Sequence, residues 1–213
     1  CREQRPPDLG AGDVTIRFSA RELLDLGAAW VALSVAFSLL LLPGFSGFSV
    51  PQAVQTFGLS FLTVGVAFLL HELAHKVVAI RFGKIAEFRA DYGMLFVAIM
   101  GALIGFLFAA PGAVYHQGRS TLRQNGLIAL AGPVTNLVLA AIFAPLAFFG
   151  SGFLASIGGL GLTINLFLAA FNMIPFGPLD GNTVKEWSTP VFVAVFVPSL
   201  ALGLWALFGF GLF

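Results

Sequence analysis

Five stretches of this 213-residue chain are apolar for long enough to cross a bilayer: Leu26–Leu42, Ala53–Ile80, Gly126–Phe149, Phe153–Ile174 and Pro190–Phe213. A spanning helix takes about 17–25 residues, and hydrocarbon forces each such helix to satisfy its own backbone N–H and C=O groups. Composition agrees. The chain is 58% hydrophobic and 10% charged, with a mean hydropathy of +0.95, whereas soluble domains carry about 25% charged residues. An all-α polytopic membrane protein embedded in a lipid bilayer is therefore expected, with its 24 phenylalanines serving as lipid-facing surface. A net charge of +1 offers no argument for nucleic acid, and no such partner is expected. The lone cysteine, Cys1, excludes an intramolecular disulfide and a cysteine zinc site. A start at Cys1 without Met reads as a fragment or a processed product; a lipid-modified Cys1 is the other reading.

One of the runs is interrupted. From Phe57 to Ile80 the chain reads FGLSFLTVGVAFLLHELAHKVVAI. On a helix His71 and His75 lie one turn apart on the same face, about 40° from eclipsed. That spacing lets both imidazoles bind one zinc ion, with Glu72 within reach of a water at the metal. Ionisable groups in hydrocarbon cost roughly 2.5–3.5 kcal/mol each, so they pair or serve a function. The structural alternatives are a helix face lining a metal-free polar cavity for the histidines and an i, i+4 salt bridge to Lys76 for Glu72. Lys76 itself is expected to reach toward the interface.

Arginine and lysine orient the spans by the positive-inside bias. Arg2, Arg5, Arg17 and Arg21 precede the first run, and Pro43–Gln52 carries no Lys or Arg. Arg81, Lys84 and Arg89 follow the second run, and Arg119 and Arg123 precede the third. The N-terminus, residues 83–92 and residues 117–125 are thus expected on the cytoplasmic side of the cell membrane. Positive charge on both flanks makes the shorter run Met94–Ala110 re-entrant or interfacial, a sixth span being the alternative. Residues 1–25 form a polar N-terminal cytoplasmic segment, and residues 26–213 a single transmembrane domain with its core at about 53–187. Ser19-Ala-Arg-Glu22 looks like a capping box opening the first helix.

Two histidines leave a tetrahedral zinc needing another protein ligand. Downstream acids are few: Glu87, Asp91, Asp180 and Glu186. Asp180 stands out in Asn172-Met-Ile-Pro-Phe-Gly-Pro-Leu-Asp-Gly181, where Pro175 and Pro178 stop a helix and Gly181 permits a tight turn. The preceding run, Phe153–Ile174, ends on the same side as the HELAH run, which brings Asp180 to the depth of the histidines. An N-cap role for Asp180 is compatible with ligation.

HELAH, NMIPFGPLDG and, between them, Ala131-Gly-Pro-Val-Thr-Asn136 occur in an order that resembles the site-2 protease family of intramembrane zinc metalloproteases. The likeness covers most of Phe57–Trp187. It implies one zinc ion per chain held by His71, His75 and Asp180, and Glu72 as general base. It also implies Asn136 near the substrate path, with a related role for Asn172. The implied activity is hydrolysis of peptide bonds within or near the transmembrane segment of a single-span membrane protein, in regulated intramembrane proteolysis, with the site opening to the cytoplasm. Pro111-Gly-Ala-Val-Tyr-His116 looks like the family's edge strand, in a β-hairpin insertion after the HELAH helix. The 50 or so residues between HELAH and AGPVTN leave no room for the PDZ domain of many bacterial members, and no regulatory domain is expected after the last run. The chain reads as a minimal core of the archaeal and simple bacterial type. A non-proteolytic metal-binding protein or transporter is the rival class. Asn136 reads almost equally as an interhelical hydrogen-bond donor, and His116 as a surface-loop residue. Gly101 and Gly105 form a G-x-x-x-G that hints at a homodimer.

Overall fold

The computed structural model describes residues 16–42, 49–106 and 111–209. Cys1, Arg2, Arg5, most of Pro43–Gln52 and the end of the last apolar run lie outside the described residues. Among the described residues five helices are long and apolar enough to cross a membrane. They are α1 (Ala20–Leu41), the continuous helix Val50–Arg81, α5 (Leu122–Phe149), α6 (Gly152–Asn172) and α8 (Thr189–Gly209). The second comprises α2 (Val50–Ser60), a π-helical turn at Phe61–Gly65, and α3 (Val66–Arg81), which carries HELAH. The chain is an all-α polytopic membrane protein.

Small residues let these helices approach closely, as packing in hydrocarbon requires. Ala29, Ala36, Ala67, Ala140 and Ala206 are almost fully buried between helices. Phenylalanine divides between two roles. Phe96, Phe148, Phe149 and Phe208 face outward, whereas Phe68, Phe88 and Phe192 are core.

After α3 the chain forms β1 (Ile85–Ala90), a short helix α4 (Tyr92–Leu103) and β2 (Gly112–Gln117). The strands pair antiparallel, with Ile85 opposite Gln117 and Ala90 opposite Gly112. The segment between them therefore returns to the point it left. A helix of 12 residues reaches about 18 Å, well short of the ~30 Å hydrocarbon thickness. The sixth-span alternative fails on length and on closure of the hairpin. Gly105, at φ 78°, ends α4 in a Schellman turn: its N–H donates to the Ala102 carbonyl and the Phe106 N–H to that of Gly101. A Cβ on Gly101 would stand 2.6 Å from the Phe106 carbonyl oxygen, so that glycine serves the same turn.

Two local expectations need correction at the start of α1. Ser19 does cap the helix, accepting from the Glu22 N–H at 3.1 Å, but the reciprocal half of the capping box is not formed. The Glu22 carboxylate instead accepts from the Lys76 ammonium at 2.5 Å and the Phe88 N–H at 3.0 Å. Nor does Lys76 reach toward the interface: its side chain is 1% exposed, and it also donates to the Arg17 carbonyl at 2.7 Å. A buried ammonium without a counter-ion costs several kcal/mol, so Glu22 serves it rather than a helix end that water could satisfy. The first turn of α1, which begins at Ala20 behind the expected Ser19 cap, holds this contact.

Candidate metal centre

Helical periodicity puts His71 and His75 on one face of α3, which lies against α5. Each imidazole is oriented through its Nδ1. His71 Nδ1 lies 2.6 Å from Asn136 Oδ1, and His75 Nδ1 lies 2.7 Å from the Ile128 carbonyl, both partners being on α5. Those bonds leave the two Nε2 lone pairs pointing the other way. Asp180, the first residue of the short helix α7 (Asp180–Trp187), completes the group. Its Oδ2 is 3.2 Å from His71 Nε2 and 3.4 Å from His75 Nε2. Asp180 is not an N-cap: Leu179 holds that position and no side chain caps the helix.

The donor set fits zinc. At a Zn–ligand distance of about 2.05 Å, the edges of a tetrahedron are about 3.3 Å, close to both separations here. Asp180 Oδ2 is buried and makes no hydrogen bond although two ring nitrogens stand within ion-pair distance. Three potential ligand atoms converging in one place suit a cation. Three protein ligands leave a tetrahedral ion one open position.

Glu72 is not bridged to Lys76, whose ammonium belongs to Glu22. It lines a cavity of about 780 Å³ together with His71, His75 and Asp180. Ala113–His116 of β2 and Asn172 also border this cavity. Asn172 donates its side-chain N–H to the Leu168 carbonyl at 3.0 Å and keeps its oxygen available. Asn136 is placed otherwise. It is 0% exposed and does not line the cavity, because it stands behind His71 with its amide spent on protein groups. Where a contact between Asn136 and substrate was expected, Asn136 instead contacts His71. His116 is no loop residue either: it lies in β2 on the cavity wall, and its Nδ1 is buried without a partner among the described residues. Burial, then the Lys84 ammonium, holds its imidazole below the usual histidine range.

Two glycines give the site its close packing, and Gly181 does so differently from the sequence expectation. Gly181 is helical, and the left-handed turn before α7 is made by Gly177 at φ 59°. A Cβ on Gly181 would lie 2.1 Å from the Met173 carbonyl oxygen, so its role is to let α7 seat against the end of α6. Gly132 lies in AGPVTN, where the linear sequence carries no sign of its role. A Cβ there would stand 2.5 Å from His71 Nε2 and His75 Nε2, so only glycine leaves space for the imidazoles against α5. Pro133 beside it has no N–H, which leaves the Ala129 carbonyl, at the cavity wall, without its usual helical donor.

Comparison with known proteins agrees with zinc as the ion. The chain is 40% identical over 196 residues to MJ0611 of Methanocaldococcus jannaschii, designated provisionally a zinc metalloprotease, covering 90% of this chain and 97% of that protein. The chain belongs to the site-2 protease family of zinc metalloproteases. YwhC of Bacillus subtilis, with the same provisional designation, is 33% identical over 152 residues, or 61% of this chain and 68% of that protein. Rip3 of Mycobacterium tuberculosis is likewise similar, 34% identical over 119 residues, though these make up only 26% of its length. No family model matches the chain, and no solved structure does. It is an integral membrane zinc metalloprotease, which sets the transporter reading aside.

Proposed function

We propose that this metalloprotease cuts single-span membrane proteins within or near their transmembrane segments, as a step in regulated intramembrane proteolysis. The observation that carries the reading is the meeting of His71 Nε2, His75 Nε2 and Asp180 Oδ2 at 3.2 and 3.4 Å among helices of bilayer length, beside Glu72. A bound zinc ion supplies Lewis acidity that polarises the scissile carbonyl and acidifies water. Glu72 takes the proton of the attacking water as the new C–O bond forms, then gives it to the leaving amine as the C–N bond breaks. Asn172, on the cavity wall, holds the substrate backbone. Asn136 orients His71.

A substrate helix hides its carbonyls in i→i−4 bonds, so it must unwind before attack; helix-breaking residues lower that cost. Strand β2 suits the unwound form. It pairs with β1 along one edge, and its other edge offers backbone groups to an extended chain. With Arg81, Lys84, Arg89, Arg119 and Arg123 clustered at this end, the cavity opens to the cytoplasm from the cell membrane. The test is cleavage of a reconstituted single-span substrate by wild type and by Glu72→Gln. The variant should retain one zinc per chain and lose about 100-fold or more in rate. Cleavage near the wild-type rate would remove Glu72 from its role.

A further inference from the structure

Asn165 lies in the middle of α6, 0% exposed, in a run otherwise suited to lipid or core. We propose that Asn165 is a positioning residue of the metal centre, dictating through Asn136 which nitrogen of His71 is free to bind metal. The inference rests on the ligand set of the metalloprotease reading. Its basis is a chain of directional hydrogen bonds anchored at two backbone carbonyls.

A backbone carbonyl can only accept. The Gly161 carbonyl takes a hydrogen bond from Asn165 Nδ2 at 2.8 Å, so the amide of Asn165 must present its Oδ1 on the other side. That oxygen accepts from Asn136 Nδ2 at 2.9 Å, and the same Nδ2 donates its second hydrogen to the Ala67 carbonyl at 3.3 Å. Both hydrogens of Asn136 are thereby committed. A flipped Asn136 would set its oxygen against two acceptors and lose both bonds. Its Oδ1 therefore faces His71 Nδ1, at 2.6 Å. An oxygen there demands a proton on Nδ1, and a neutral ring with Nδ1 protonated has its lone pair on Nε2, the atom directed at Asp180. Ala67 lies one turn before His71 on the same helix, so Asn136 also pins the ring to its own backbone.

Asn136 alone touches only one carbonyl acceptor besides its neighbour. Without Asn165 its amide has one bond fewer holding it in the orientation that His71 needs. The site then samples a His71 ring that offers a proton where a ligand should be. This is an effect on metal affinity, and it operates without any contact between Asn165 and the metal.

The test measures zinc affinity of the detergent-solubilised chain by chelator competition, with thermal unfolding in excess chelator as the check on folding. Direct partners of metal-bound histidines are worth about 10- to 100-fold in affinity, so Asn136→Ala should fall in that range and Asn165→Leu should lose roughly tenfold. Asn165→Asp, protonated in this apolar setting, keeps an acceptor for Asn136 and a donor for Gly161 and should stay within about threefold of wild type. In an Asn136→Ala background, Asn165→Leu should add nothing. Wild-type affinity in Asn165→Leu, equal losses in the Asp and Leu variants, or additive losses in the double variant would each overturn the proposal. Nitrogen NMR of the zinc-loaded wild type provides a measurement that needs no variant: zinc bound to His71 through Nδ1 would overturn it as well. A wild type that takes up no zinc would instead remove the metal-centre reading beneath it.

Discussion

Gly132→Ala offers a sharp test of the metal centre, because two effects of one methyl group pull in opposite directions. In a helix interior alanine is favoured over glycine by about 0.8–1 kcal/mol. Gly132 lies well inside α5, with helical φ, so helix propensity alone would leave the metal-free protein slightly more stable than wild type, a gain that crowding of the imidazoles offsets. The added Cβ, however, would meet His71 Cε1, His71 Nε2 and His75 Nε2, all at 2.5 Å, against the 3.4 Å at which contacts become ordinary. The rings must retreat by about 0.9 Å. Neither yields easily, since His71 is tied to Asn136 and His75 to the Ile128 carbonyl. Zinc sites tolerate about 0.2 Å in ligand distance, so a displacement several times larger should cost 100-fold or more in affinity, about 2.7 kcal/mol or above. Zinc content after dialysis against a graded chelator series, read beside a thermal melt in excess chelator, separates the effects. Full zinc retention at wild-type affinity would refute the placement of the imidazoles against α5.

Two further tests address the frame around the site. Glu22→Ala strands the Lys76 ammonium in a buried position and should lower stability by roughly 3–5 kcal/mol, while Glu22→Leu combined with Lys76→Met should recover most of it. A loss under about 1 kcal/mol in the single variant, measured by reversible unfolding in mixed micelles, would show that the pair is not buried as described. For the hairpin, Ile85→Cys and Gln117→Cys, made separately in a Cys1→Ser background, lie opposite one another in the β1–β2 register. Both should react with a membrane-impermeant thiol reagent from the same side, the cytoplasmic one; labelling from opposite sides would restore a sixth span.

What the linear sequence determined is what depends on near neighbours and on solvent. Run length and the absence of charge dictate the helices, because an unpaired backbone group in hydrocarbon has no alternative partner. A period of 3.6 residues aligns His71 with His75 whatever surrounds them. Asp180 was legible because acids are scarce after the HELAH run and because Pro175 and Pro178 set it at a helix start. The misreadings of Lys76 and Asn136 share one cause, partners far away along the chain. Lys76 is matched by Glu22, 54 positions earlier, and Asn136 meets His71 across 65 positions. Neither separation leaves any periodic trace. His116 became cavity wall only through the pairing of β2 with β1, and Gly132 became indispensable only when α5 was laid against two imidazoles. Residue type and spacing therefore specified which groups could bind a metal, since local backbone geometry is enough for that. The packing of α3, α5, α6 and α7 decided which nitrogen of each ring is free to do so, because a side chain's hydrogen bonds are settled by whatever the fold brings within 3 Å of it.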